Sequence, residues 1–321
     1  MDASQQHRVL VAGASGTIGR AVVRALVARG HRVIGLLRRG ASGEAAASEL
    51  IGWGAQTLFG DLRDPMALDR TLADGAFDTV ISCIASRSGA PKDAKAVDYQ
   101  ANANLLAAAE RTGVQHFVLL SAICVQKPLL AFQHAKLAFE AELRASEMDH
   151  TIIRPTAFFK SLSGQVERVR NGKPFLLFGS GELTRCKPIS DADLAAFIAD
   201  CVTDPKRRNH TLPVGGPGPA ISPRAQGEML FELTGQIPRY RSVPVAMFTG
   251  AAGVLSLGAR FSDWFAEKAE YARIARYYAT ESMLVLDPES GEYDDDATPG
   301  YGSDTLRDHY ADLLARAERG K

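Results

Sequence analysis

The sequence predicts an α/β fold: a doubly wound parallel sheet followed by a smaller C-terminal lobe. Three observations carry this. The first half alternates short apolar runs with helical patterns, a glycine-rich turn directly follows the first run, and the rhythm changes after Pro155. Strand–helix alternation implies parallel pairing through right-handed crossovers.

The elements follow in order. Arg8–Ala12 is a continuous apolar run of the kind found in a strand buried on both faces. Ile18, Val22, Ala25 and Leu26 recur at helical spacing, and Gly30 stands where a helix ends. Arg32–Leu37, Thr57–Phe59 and Thr79–Ile84 read as the next strands, and Ala94 to Thr112 as a long helix stopped by Gly113. His116–Ser121 is a fifth strand, Lys136–Ser146 a helix and Thr151–Arg154 a sixth strand. Further on, Ser190-Asp191-Ala192-Asp193 resembles a capping box for a helix over Leu194–Cys201, and Leu212–Gly218 reads as a strand entering a turn. The expected division is a nucleotide-binding domain over 1–155, its sheet completed by segments around 185–216, and a mostly substrate-binding lobe over 156–321.

With 321 residues the chain is long enough for about two domains. It has 46% hydrophobic and 23% charged residues, a globular composition. Lys plus Arg (37) balances Asp plus Glu (37), which argues against a nucleic-acid partner. The four cysteines form no CxxC pair and no histidine pair has zinc-ligand spacing, so neither a metal site nor a disulfide framework is expected. Residues 1–8 contain no apolar signal core, and the expected location is cytoplasmic. Ser242–Ala259 is an uncharged run between Arg241 and Arg260. Pro244, Thr249, Ser256 and three glycines dilute it, so it reads as a buried or surface helix, with contact to a membrane surface or to a large apolar ligand left open.

The chemistry starts at Gly13-Ala14-Ser15-Gly16-Thr17-Ile18-Gly19. Between a strand and a helix, glycines permit a tight turn and close approach of a pyrophosphate, which the helix N-terminus then attracts. The GxxGxxG spacing points to the short-chain dehydrogenase superfamily, hence a Rossmann-type dinucleotide domain. Sites for NAD place an acid about 20 residues later, on the ribose 2′-hydroxyl. Here that stretch ends in Arg38-Arg39, which suits the 2′-phosphate of NADPH. Asp61 and Leu62, after the third strand, are expected beside adenine. Cys83, Ala85 and Ser86, after the fourth, are expected beside the nicotinamide half.

Ser121–Leu130, Phe132-Gln133-His134-Ala135-Lys136, Arg154–Leu162, Lys187-Pro188-Ile189-Ser190, Ala275–Leu284 and Leu286–Tyr293 together resemble the divinyl chlorophyllide or protochlorophyllide 8-vinyl reductases. These are NADPH-dependent atypical short-chain dehydrogenases of chlorophyll and bacteriochlorophyll synthesis, and the resemblance runs through nearly the whole chain. It implies reduction of the 8-vinyl group of a magnesium tetrapyrrole to ethyl. In that frame Lys136 holds the nicotinamide ribose and Ser121 stands with it as a catalytic residue, while Pro155 and Thr156 line the cofactor. The superfamily's tyrosine, four residues before the lysine, is Phe132 here. Loss of the phenol argues against an alcohol dehydrogenase but not against C=C reduction. His134, Cys124, Lys160 and water are candidate proton donors. Phe158, Phe159 and Lys160 are candidate substrate residues, and Lys160, Arg168 or Lys187 could pair with a propionate. Two other readings stand beside this one: a non-catalytic NADP-binding regulator or assembly factor, and a reductase of the isoflavone-reductase type.

Overall fold

The computed structural model describes residues 6–258 and 262–319. Val9 to Ala12 lack any polar side chain and form the buried centre of β1 (Arg8–Ala12). On one side β1 pairs in parallel with β2 (Arg32–Leu37), Val9 opposite Val33, and β2 pairs with β3 (Gln56–Phe59). On its other side lies β4 (Thr79–Ser82), followed by β5 (His116–Leu120) and β6 (Asp149–Pro155), all parallel. The strand His210–Val214 follows β6, giving the order β3-β2-β1-β4-β5-β6 and then that seventh strand. The order reverses between β1 and β4, and in doubly wound sheets a ligand binds at the carboxyl ends of the strands where this happens.

Helices α1 (Thr17–Ala28), α2 (Ala41–Gly52) and α3 (Pro65–Gly75) supply the first crossovers. Asp64 accepts the Ala67 N–H and Pro65 opens α3, a start that needs no other capping residue. Leu10, Leu36, Val80, Phe117 and Ile152 build one core with Phe139 and Leu143 of the helix Ala131–Ala145. The Phe117 and Phe139 rings lie 5.8 Å apart.

Two compact units result. The first comprises Met1–Val125, Ala131–Arg154 and Leu194–Leu212; the second comprises Gln126–Leu130, Pro155–Asp193 and Pro213–Lys321. In the second, strands Phe175–Phe178 and Tyr240–Val243 pair in parallel over a core containing Phe159, Val166, Leu230, Phe231 and Tyr310.

Several boundaries differ from the sequence reading. The helix expected from Lys136 starts at Ala131. The helix expected over Leu194–Cys201 runs Asp191–Thr203, with the Ser190 hydroxyl accepting the Asp193 N–H. The helix expected from Ala94 begins as a π turn, Ala94–Ala101, before becoming α-helical over Asn102–Arg111. Of the uncharged run, Ala246–Gly258 forms a helix, while Ala259 lies outside the described residues. Among the described residues no helix is long and apolar enough to cross a membrane.

His116 opens β5 fully buried, a ring nitrogen 3.0 Å from Thr151 Oγ1. Burial pushes its pKa from 6.5 down to about 4. The unfolded chain therefore takes up this proton first. The His116 contribution is complete above pH 6.5 and is lost as pH falls through 4, a change of up to about 3 kcal/mol. Thermal melts from pH 8 downward should show Tm dropping across that window, with a shallower drop in His116→Gln. An equally steep drop in the variant would rule His116 out as the cause.

Candidate active site

The cofactor loop leaves β1 at Gly13, whose φ of +78° disfavours any side chain. A Cβ there would lie 2.7 Å from the Cys83 carbonyl oxygen, and one on Gly19 only 2.2 Å from the Gly13 carbonyl oxygen. Neither backbone could stay in place with a larger residue. Ser15 and Gly16 complete the turn, and Thr17 and Ile18 open α1. Gly16 is the N-cap of α1, with no side chain capping the helix and no acid in its first turn. The first N–H groups therefore face a space without a competing carboxylate, a cradle suited to a pyrophosphate.

Arg38 and Arg39 follow β2 and are exposed, Arg39 lying 5.7 Å from the Phe59 ring centre. Asp61 does not present a bare carboxylate. Arg63 grips it with Nε at 3.0 Å and Nη2 at 2.7 Å. These hydrogen bonds, with help from the charge of Arg38, hold the Asp61 carboxyl below the usual range. Arg63 and Arg38 thus bear on Asp61, and Arg39 lies beside Phe59 at the end of β3, leaving a cationic surface that fits a 2′-phosphate. Arg63 was missed in the sequence, although Asp-Leu-Arg after a strand was its visible signal. Leu62 contributes its carbonyl to Asn104 Nδ2 at 2.9 Å.

Lys136 lies on the sheet-facing stripe of its helix with Gln133, Phe139, Glu140 and Leu143. Its Nζ is 3.2 Å from Asp98 Oδ1, and the two side chains are only 9% and 1% exposed. Asp98 Oδ1 also accepts the Ser86 N–H at 3.3 Å. The wide turn of the π segment brings Asp98 and Asn102 to one inner face. Asn102 donates to the Asp98 carbonyl at 3.1 Å and accepts the Ser82 hydroxyl at 2.5 Å. Asp98 Oδ2 is buried with no hydrogen-bond partner, an acceptor that a ribose hydroxyl would satisfy. Asp98 and Asn102 were also missed. Their signal was a pair of polar residues four apart on an otherwise apolar helical face. Burial pushes the neighbouring Cys83 thiol up to about 12, so it stays protonated at neutral pH.

Ser121 requires a correction. Its hydroxyl donates to Glu140 Oε1 at 2.6 Å, and Arg154 and Arg144 both hold the other carboxylate oxygen of Glu140. Glu140 is fully buried; despite that burial, these partners keep its pKa below the ordinary value. Ser121 therefore completes a structural ion cluster and has no proton to offer a substrate. Among the candidate donors, Cys124 is buried and His134 is exposed, one position before Ala135 and outside the sheet-facing stripe.

The second unit reassigns further candidates. Thr156 donates its hydroxyl to the Lys187 carbonyl at 2.5 Å and its N–H to the Val214 carbonyl at 3.0 Å, and Pro155 is buried. Phe159 is a core residue, 4% exposed, with its ring centre 5.3 Å from that of His309. It has no face left for a macrocycle, whereas Phe158 stays half-buried and Lys160 exposed. Lys187 Nζ is taken by Asp295 Oδ1 at 3.0 Å and by the carbonyls of Asp295 and Thr298. Arg168 Nε donates to the Pro174 carbonyl at 2.6 Å. Lys187 is not available to a propionate without giving up these bonds, whereas Arg168 commits only its Nε.

The NAD(P)H-binding family profile matches residues 13–205, the stretch containing the glycine loop, the arginine cluster and Lys136. The chain is 48% identical over 98% of its length to the chloroplastic divinyl chlorophyllide a 8-vinyl-reductase of Arabidopsis thaliana, covering 78% of that protein. The chain belongs to the divinyl chlorophyllide a 8-vinyl-reductase family. A second member, from Cucumis sativus, is 49% identical over 98% of this chain and 77% of its own. Among solved structures, the NADPH complex of the Escherichia coli quinone oxidoreductase QOR2 superposes with a TM-score of 0.71. That match covers 95% of this chain and 99% of the other at 19% identity, a likeness of fold. Membership in this reductase family accounts for the intact cofactor cradle beside a lysine that lacks its tyrosine.

Proposed function

We propose that this chain reduces the 8-vinyl group of a divinyl chlorophyllide or protochlorophyllide to ethyl with NADPH. The observation that carries the reading is local. A buried Lys136–Asp98 pair, able to hold a ribose, sits in the same helix frame as Phe132, where a carbonyl reductase needs a phenol. When bound, NADPH supplies a hydride. The chain's own residues then have limited tasks. The Gly13–Gly19 turn and the start of α1 bind the pyrophosphate, and Arg38 and Arg39 bind the 2′-phosphate. Lys136, fixed by Asp98, orients the nicotinamide ribose.

The vinyl C=C accepts one hydride at its terminal carbon and one proton at the other. The macrocycle delocalises the electron pair in between, so no oxyanion needs a donor. Water and Lys160 remain the donors in this reading, since Ser121 is tied to Glu140 and Cys124 is buried. The substrate is broad and apolar.

The test mixes protein, NADPH and a divinyl substrate and follows the Soret band. Loss of one conjugated vinyl should move it to the blue. NADPH binding with an unmoved band would favour a non-catalytic regulator. Phe132→Tyr should retain most of this activity and gain no alcohol dehydrogenase activity. A half-buried added hydroxyl should cost about 1 kcal/mol in packing. A dehydrogenase activity appearing in that variant would show that the site was built for carbonyl chemistry.

A further inference from the structure

The helix Ala246–Gly258 has no buried residue and no charged one. Met247, Val254 and Leu257 recur at helical spacing and are 60%, 71% and 76% exposed. A stripe at this spacing normally packs against a core. Here the opposite side makes the intramolecular contacts: Phe248 meets Phe178 edge to face at 5.2 Å, and Ser256 accepts a hydrogen bond from Arg273 at 2.8 Å. The partner helix Asp263–Thr280 presents Trp264, Tyr271 and Tyr278, each more than two-fifths exposed. Lys268 lies within 6 Å of both the Trp264 and Tyr271 ring centres.

The charges described around this apolar surface lean positive, four cations against two acids. Arg241, Arg273 and Arg276 are exposed and Lys268 partly so. Of the acids described nearby, Glu270 is buried and bonded to Arg273 at 3.0 Å, and Glu267 is partly exposed. The chain as a whole has no net charge, so this cationic surplus is local.

We propose that the hairpin formed by helices Ala246–Gly258 and Asp263–Thr280 docks on the surface of an anionic lipid bilayer. Met247, Val254 and Leu257 enter the headgroup–acyl boundary, Trp264 and Tyr271 sit at headgroup depth, and Arg241, Lys268 and Arg276 face lipid phosphate. An uncharged apolar stripe bordered by interfacial aromatics and cations is the pattern of a segment lying in the interface plane. The setting rests on the reductase reading, but the surface argument does not use the cofactor or the reaction.

The experiment is co-sedimentation of the full chain with phosphatidylcholine vesicles, with and without phosphatidylglycerol, alongside turnover in detergent without vesicles. The parent should bind the phosphatidylglycerol vesicles, weaken as salt is raised, and bind poorly to phosphatidylcholine alone. Val254→Asp with Leu257→Asp, and separately Arg241→Glu with Arg276→Glu, should each cut that binding about tenfold or more while leaving detergent turnover unchanged. These positions are exposed, so the variants should fold.

Absence of parent binding to phosphatidylglycerol vesicles would overturn the proposal. So would a parent dimer that the Val254→Asp/Leu257→Asp variant dissolves, because the stripe would then cover a second copy. A raised KM for the tetrapyrrole in that variant would assign the stripe to substrate instead. Loss of turnover in the parent with vesicle binding intact would count against the reductase reading alone.

Discussion

Replacing Lys136 with alanine should lower kcat/KM for NADPH about a hundredfold, because a misplaced nicotinamide loses the reacting geometry. Lys136 is buried against Asp98 at 3.2 Å, so the ammonium has one direction in which to point. Removing one member of a buried pair leaves the other charge uncompensated, at a cost of about 3–5 kcal/mol. The measurement therefore needs a companion that keeps the shape. Asp98→Asn retains size and the contact to the Ser86 N–H but removes the counter-charge. It should raise KM for NADPH more than it lowers kcat, since Asp98 acts by positioning Lys136 and meeting a ribose hydroxyl.

Combining Asp98→Asn with Lys136→Ala should cost little beyond Lys136→Ala alone, as expected of residues acting as one unit. Steady-state kinetics at low NADPH on the three variants decide the matter, with melting curves confirming that each is folded. Lys136→Ala turning over like the parent would remove the ribose role, and full additivity would separate Asp98 from it.

The legible parts of this chain are those where a local pattern has one physical meaning. The run Val9–Ala12 is too apolar for anything but a strand buried on both faces, and Gly13 and Gly19 occupy positions where a Cβ would strike backbone. Both are local facts, and they fix the doubly wound sheet. Lys136 was singled out through its place in a motif.

Asp98 was not found, because its importance depends on a π turn and on a partner 38 positions away. The four-residue spacing of Asp98 and Asn102 is visible in the sequence, but nothing local points to Lys136 as the partner. Ser121 was read as catalytic for a related reason: the neighbour that claims its hydroxyl, Glu140, sits on another element. Phe159 and Lys187 were misjudged in the same way. An aromatic in a core and an aromatic on a ligand are identical in sequence, as are a lysine facing solvent and one gripping Asp295. Charge and aromaticity reveal which interactions a residue can make, and only the fold determines which partner it gets.

The arginine cluster gives the second large effect. Replacing Arg38 and Arg39 together by alanine should raise KM for NADPH by one to two decades and leave NADH almost unchanged. A charge-assisted contact to phosphate is worth about 1.5–3 kcal/mol. Both side chains are exposed, so solvent screening places the sum near the lower end of what two such contacts could give. Arg63 refines the expectation. It pairs with Asp61 through both its backbone N–H and its guanidinium, and without it the Asp61 carboxylate would face the 2′-phosphate with only Arg38 beside it. Arg63→Ala should therefore weaken NADPH although the residue need not touch the phosphate, and Arg63→Ala with Asp61→Asn should recover much of the loss. NADH carries a hydroxyl where NADPH carries the phosphate, so it should respond to none of these changes by more than a few fold. Kinetics with both cofactors on each variant supply the comparison. Equal losses for NADPH and NADH would mean that the arginines support the loop and not the phosphate, and selectivity would then have to arise elsewhere along the β2 and β3 ends.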